Sequence, residues 1–115
     1  FGTPDARSDD SRHALRCVRE MVDYPLPHGL TISAGAHRGE VVLGEVGSER
    51  RLEFATIGDT VNVAARLEAA TRDTDARAII SDACVVDAEA RDWLEHVGPI
   101  ELRGRKEPID VWKMT

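Results

Sequence analysis

The sequence predicts an α+β domain with a mainly antiparallel sheet, and three observations lead there. Apolar residues recur at helical spacing in some segments and alternate every second residue in others. The segments do not alternate strand with helix throughout, as a parallel fold would; their order is α-β-β-β-α-β-α-β-β-β. A length of 115 residues with 42% hydrophobic and 31% charged residues allows one ordinary globular domain and no second one.

Each element follows from local pattern. Ser8-Asp9-Asp10-Ser11 supplies N-cap candidates, and Ala14, Leu15, Val18, Met21 and Val22 then recur at helical spacing until Pro25 and Pro27. The spacing predicts a helix with one buried face. Leu30, Ile32, Ala34 and Ala36 alternate with Thr31, Ser33 and Gly35, after which His37-Arg38-Gly39 is expected to turn the chain into Glu40 to Val46 as a β-hairpin. Leu52 and Phe54 continue a strand toward Ile57, Gly58 punctuates it, and Asp59 is placed to cap the next helix. Ala78-Ile79-Ile80 reads as a short buried strand and Ser81 as the cap of a helix reaching about Glu89. Two late strands are expected near Trp93 to Val97 and Ile100 to Arg103, and Ile109 to Met114 closes the chain as a last strand. No internal repeat or low-complexity stretch interrupts this order.

Composition excludes several classes of function. A net charge of -6 argues against nucleic acid, because a duplex binder needs a basic face to displace counterions from phosphates. The apolar runs are far shorter than the roughly 20 residues that span a bilayer, and no signal-peptide pattern opens the chain, so a cytoplasmic protein without membrane contact from this segment is expected. Cys17 and Cys84 lie far apart and lack zinc-ligand spacing, which leaves free thiols as the expected state. The first residue is Phe1 rather than Met, which suggests a fragment.

The helix opened by Asp59 carries the most informative pair. Asn62 and Arg66 stand four residues apart in Asn62-Val63-Ala64-Ala65-Arg66, so their polar heads share one face. Such a pair is either an ordinary solvent-facing Asn and Arg or a carboxamide and a planar cation suited to a ribose beside a phosphate chain. Gly39 and Gly44 have the spacing of a phosphate-binding P-loop, but Glu45 and Val46 occupy the positions where Lys and Ser or Thr must act, so no such loop is read here. These glycines fit a hairpin turn and close strand packing instead. His37, at the turn and without a nearby carboxylate, receives no catalytic role. Arg103-Gly104-Arg105-Lys106 is the one dense basic cluster, either a solvated loop or a phosphate contact. Trp93 and Trp112 read as core or interface residues.

Gly35-Ala36-His37-Arg38-Gly39, and then Gly58-Asp59-Thr60-Val61-Asn62-Val63-Ala64-Ala65-Arg66, resemble the Gly-x-His-x-Gly and Gly-(Asp/Asn)-x-Val-Asn-x-Ala-x-Arg motifs of the class III adenylate/guanylate cyclase catalytic domain. The resemblance runs from Phe1 to the Leu102-Arg103-Gly104-Arg105 segment and covers the C-terminal two-thirds of that domain. It implies a ferredoxin-like class III cyclase fold, lacking its N-terminal strands, with helices on one face of the sheet. Residues 1–115 would be a single partial domain. The implied reaction converts ATP to 3',5'-cyclic AMP and pyrophosphate by attack of the ribose 3'-hydroxyl on the α-phosphate, chemistry that depends on positioning and charge stabilisation. By the same resemblance Asn62 orients the ribose, Arg66 stabilises charge on the α-phosphate, and Arg103, on a late strand, contacts the triphosphate.

Ala55, with Thr56 beside it, falls where the family reads the base, yet Ala has no polar side-chain atom; ATP over GTP is therefore a family-level expectation only. The family's cofactors, Mg2+ or Mn2+, are held by two aspartates that fall upstream of Phe1, so this segment is expected to hold no metal by itself. A homodimer or a second cyclase domain would complete the site, and the fragment alone would be inactive. The missing central strand would expose sheet edges that recruit other strands, so a strand-swapped association is expected. The rival reading is a degenerate cyclase-homology module that binds a nucleotide or regulates without turnover. A diguanylate cyclase is disfavoured because its Gly-Gly-Asp/Glu-Glu-Phe turn is absent.

Overall fold

The apolar stripe near the N-terminus closes into helix α1 (Asp10–Asp23) in a computed structural model that describes the backbone of residues 1–2, 5–48, 51–57 and 59–115, and their side chains outside 42–57. Leu15, Val18 and Val22 are buried along it, whereas Met21, expected on the same face, is exposed. The helix stops because Tyr24 precedes Pro25, whose ring pushes the preceding residue out of the helical region; Tyr24 accordingly sits at φ −65°, ψ 125°. The other elements are β1 (Ala34–Ala36), β2 (Val42–Ser48), β3 (Arg51–Ile57), α2 (Asp59–Thr74), β4 (Ala78–Ser81), α3 (Asp82–Ala88), β5 (Glu95–Ile100) and β6 (Ile109–Met114).

Four strands form a sheet in the order β1-β4-β6-β5, and β2 and β3 form a separate two-stranded hairpin. β1 runs parallel to β4 with Gly35 opposite Ile79, while β4 with β6 and β6 with β5 are antiparallel. Two of the three ladders are therefore antiparallel, in keeping with the α+β, mainly antiparallel expectation. The hairpin is also antiparallel, with Val42 opposite Ile57 and Ser48 opposite Arg51.

Strand alternation divides the core in two. Ala78, Ile80 and Met114 face α1 and α3, where they pack with Leu15, Val18, Val22, Cys84 and Val85. Ile79 and Val111, one residue out of phase, face α2 and meet Val63, Leu67 and Leu102. The expectation that the helices share one face is thus corrected: α1 and α3 cover one side and α2 the other, because both faces of β4 are apolar and each needs a cover.

Three local expectations also change. The hairpin turn expected at His37-Arg38-Gly39 does not form; β1 pairs with β4, and the hairpin lies one strand later, between β2 and β3. The cause is the start of α2: a Cβ on Gly39 would lie 2.5 Å from Thr60 Oγ1, and the Thr60 hydroxyl donates to the Glu40 carbonyl at 2.6 Å. The chain after β1 is drawn to the helix rather than folded back along the strand. The two late strands are one, β5, which runs through Gly98-Pro99 with a bulge between His96 and Gly98. Proline is tolerated because β5 is the sheet's edge. Arg103 consequently lies in a turn after β5, not in a strand. Finally, Ser81 stands at the N-cap of α3 without making the capping bond; its hydroxyl meets His37 Nδ1 at 2.8 Å. Cys84 is buried, which pushes its thiol pKa up, and Cys17 is half-buried; both are free.

Candidate functional site

Helix α2 rests on the sheet through Val63, Leu67 and Thr71, spaced four residues apart and all buried. Between them the helix backbone itself touches β1. A Cβ on Gly35 would fall onto the Ala64 carbonyl oxygen and the Glu68 nitrogen, and within 3.0 Å of the Leu67 carbonyl carbon. The absence of a side chain at Gly35 therefore fixes the height of the turn 64–68, the one that carries Arg66.

The opposite wall is the turn Leu102-Arg103-Gly104-Arg105. Leu102 is buried in the α2 core, and the Arg105 amide donates to the Leu102 carbonyl at 3.1 Å. Gly104 takes φ 82° at the third position, a conformation that glycine adopts without the steric penalty of a side chain. The Arg66 guanidinium lies against it: the point where a Cβ would stand is 3.3 Å from Arg66 Nη2 and 3.5 Å from Nη1. Arg105 Nη1 donates to Asp59 Oδ2 at 2.6 Å, joining the turn to the first residue of α2.

A groove of about 270 Å³ lies between these walls, lined by Arg66, Ala69, Ala70 and Asp73 from α2 and by Glu101, Leu102 and Arg103. Arg66 and Arg103, far apart in sequence, are thus brought to one depression. Arg66 is half-buried and forms no ion pair with a carboxylate among the described residues. A partly desolvated guanidinium without a carboxylate partner favours an anion, and its planar donors suit phosphate oxygens.

The remaining candidates are more dispersed. Asn62 is exposed, one turn before Arg66; helix geometry puts the two about 40° apart around the axis and about 6 Å apart along it. It does not line the groove. Ala55 and Thr56 stand on β3 opposite Gly44 and Leu43, and their side chains lie outside the described residues. His37 is half-buried; burial above all, and then the Arg105 cation, hold its pKa below the usual value, with Asp59 pulling the other way. Trp112 is half-buried and donates to Asp82 at 2.9 Å, while Trp93 is exposed with the Arg12 guanidinium carbon 6.0 Å from its ring centre.

Sequence reasoning missed three parts of this site: Gly35 as the seat of α2, Gly104 as the surface beneath Arg66, and the Asp59–Arg105 pair. A glycine between two arginines was the available signal for the second. Among the described residues no group of three or more His, Cys, Asp or Glu side chains is gathered as a metal centre requires. The groove offers only Asp73 and Glu101, so the described residues do not fit the family's divalent ions.

A family model described as the Adenylate and Guanylate cyclase catalytic domain matches residues 9–114. The adenylate cyclase of Anabaena cylindrica is 39% identical over 125 residues, an alignment covering 96% of this chain and 25% of that protein. Adenylate cyclase 1 of Rhizobium meliloti (strain 1021) is 30% identical over 126 residues, covering 100% of this chain and 19% of that protein. The crystal structure of the guanylyl cyclase Cya2 superposes with a TM-score of 0.68 at 27% identity, covering 98% of this chain and 61% of that one. The chain therefore spans a quarter or less of the length of these two curated relatives, and it belongs to the adenylate and guanylate cyclase catalytic domain family.

Proposed function

We propose that residues 1–115 form one partial cyclase domain that lends the sugar- and phosphate-handling side chains to an ATP-cyclising site completed by a second domain. The observation that carries this is the half-buried Arg66 guanidinium, held on Gly104 and sharing a groove with Arg103. In the reaction the ribose 3'-oxygen bonds to the α-phosphorus, the bond to the pyrophosphate oxygen breaks, and the 3'-hydroxyl proton departs. Asn62 would hold the ribose in line through its amide. Arg66 would donate to the α-phosphate oxygens as charge grows there, and Arg103 would hold the triphosphate tail. Ala55 and Thr56 would border the base.

Two curated relatives named adenylate cyclases support ATP, while likeness to a guanylyl cyclase makes GTP the necessary comparison substrate. The metal-holding carboxylates belong, on this reading, to the partner: a second copy, possible strand exchange included, or another cyclase domain. A cytoplasmic location follows from the substrate; among the described residues no helix is long and apolar enough to cross a membrane.

The test is complementation. The purified chain with ATP or GTP and Mn2+ should make no cyclic nucleotide, and adding a cyclase domain that has the metal carboxylates but lacks its own Arg should produce cyclic AMP. Arg66→Ala should lower that rate by roughly a hundredfold to a thousandfold, the usual loss for one preorganised donor. A mixture that makes no cyclic nucleotide while the chain still binds ATP would instead favour the regulatory module. The apolar Ala55, where the family reads the base, is the feature that favours this second reading.

A further inference from the structure

The basic turn after β5 poses an electrostatic problem that the fold resolves. Arg66 lies against Gly104 and shares the groove with Arg103, and Arg105 follows Gly104 in the same turn, so three cations are borne by or packed on four residues, where like charges repel. Asp59 intervenes at one of them, 2.6 Å from Arg105 Nη1. The Arg105 side chain is 30% exposed and that of Asp59 68%, so the guanidinium is partly shielded while the carboxylate stays open to solvent and the pair is worth about 1 kcal/mol or less. His37 bonds to Ser81 rather than to either partner, and burial above all, then the Arg105 charge, lowers its pKa while the Asp59 charge raises it. The turn is thus held at both ends, by Leu102 in the core and by Arg105 on α2, while its middle supports Arg66.

We propose that Asp59 and Arg105 are positioning residues: their ion pair fixes the Leu102–Arg105 turn on the first turn of α2, and so sets the separation of Arg66 and Arg103, the two cations facing the triphosphate. This rests on the nucleotide reading above. Neither residue needs to touch the substrate; each acts through the turn.

Asp59→Asn separates this role from simple charge effects. Removing a negative charge beside a phosphate site should tighten anion binding if Asp59 is a bystander, whereas releasing the turn should weaken it. The full 115-residue chain and its Asp59→Asn, Arg105→Gln, Arg105→Lys and Asp59→Asn/Arg105→Gln variants are titrated with inorganic tripolyphosphate and with ATP by calorimetry. In parallel, exchange of the Arg105 amide, which bonds the Leu102 carbonyl, is followed without ligand. The expected result is a loss of about fivefold in tripolyphosphate affinity for Asp59→Asn and for Arg105→Gln, with faster exchange at Arg105. The double variant should be no weaker than either single one, and Arg105→Lys should recover most of the loss. Tighter binding by Asp59→Asn, additive losses in the double variant, or unchanged exchange at Arg105 would each overturn the proposal. Should the wild-type chain bind neither tripolyphosphate nor ATP, the nucleotide reading fails, and the exchange experiment still decides whether the pair holds the turn. Exchange at the β4 and β6 amides reports whether each variant is folded.

Discussion

Replacing Gly35 with alanine tests how strand packing reaches the reacting groups. The new Cβ would meet the Ala64 oxygen and the Glu68 nitrogen, both backbone atoms that no rotamer change can move aside. Ordinary van der Waals contact begins near 3.4 Å, so α2 must withdraw by about 1 Å, a strain that costs ~1–3 kcal/mol. Gly35 has no positive φ, so alanine also restricts the unfolded chain and returns ~0.4–1 kcal/mol. The net expectation is a loss of about 1–2 kcal/mol in urea unfolding. The displaced turn carries Arg66, and a shift of about 1 Å in a positioning element can cost about a hundredfold in rate. Complemented cyclase activity should therefore fall far more than stability. Gly29→Ala is the control: it sits at φ 70° with nothing within 4 Å of its would-be Cβ, so it strains the backbone by about 1 kcal/mol and should leave activity intact. A Gly35→Ala protein with wild-type stability and activity would refute the reasoning, as would equal activity losses in the two variants.

Other expectations follow from the same packing. Leu67→Ala, which empties a fully buried position between α2 and the sheet, should cost about 2–5 kcal/mol in urea unfolding. Gly104→Ala places a methyl 3.3 Å from Arg66 Nη2 at φ 82°, so it should lower complemented activity at least as strongly as it lowers stability, measured on the same samples. His37 titrates below its usual 6.5 in the folded chain, so between that lowered value and 6.5 the unfolded chain binds more protons. Stability should be fully present above about pH 6.5 and fall as pH drops below it, and His37→Gln should flatten this slope when urea midpoints are compared across that range.

Periodicity made the helices and the β4 and β6 strands legible, because one buried face leaves a regular trace in sequence. The Asn62 and Arg66 spacing was legible for the same reason. Pairing was less so: β1 takes a partner more than 40 residues away, and nothing local in Ala34-Gly35-Ala36 distinguishes that choice from a neighbouring hairpin. Gly98-Pro99 read as a break between strands, yet an edge strand absorbs both with one bulge, which moved Arg103 into a turn. Ser81, expected as a local cap, finds a distant partner in His37 instead, since a tertiary contact can outcompete the nearest backbone amide, and Asp59 at the start of α2 reaches across to Arg105. By local pattern Gly35 fits a strand and Gly39 a turn, whereas both mark where α2 comes close to the chain around β1.

The most direct measurement is a crystal structure of this chain, paired with a domain carrying the metal carboxylates, in complex with a non-cyclising ATP analogue. The account predicts an Arg66 nitrogen about 3 Å from an α-phosphate oxygen, the Asn62 amide on the ribose and Arg103 on the phosphate tail. A nucleotide bound elsewhere, with Arg66 still resting on Gly104 and touching no phosphate, would contradict it.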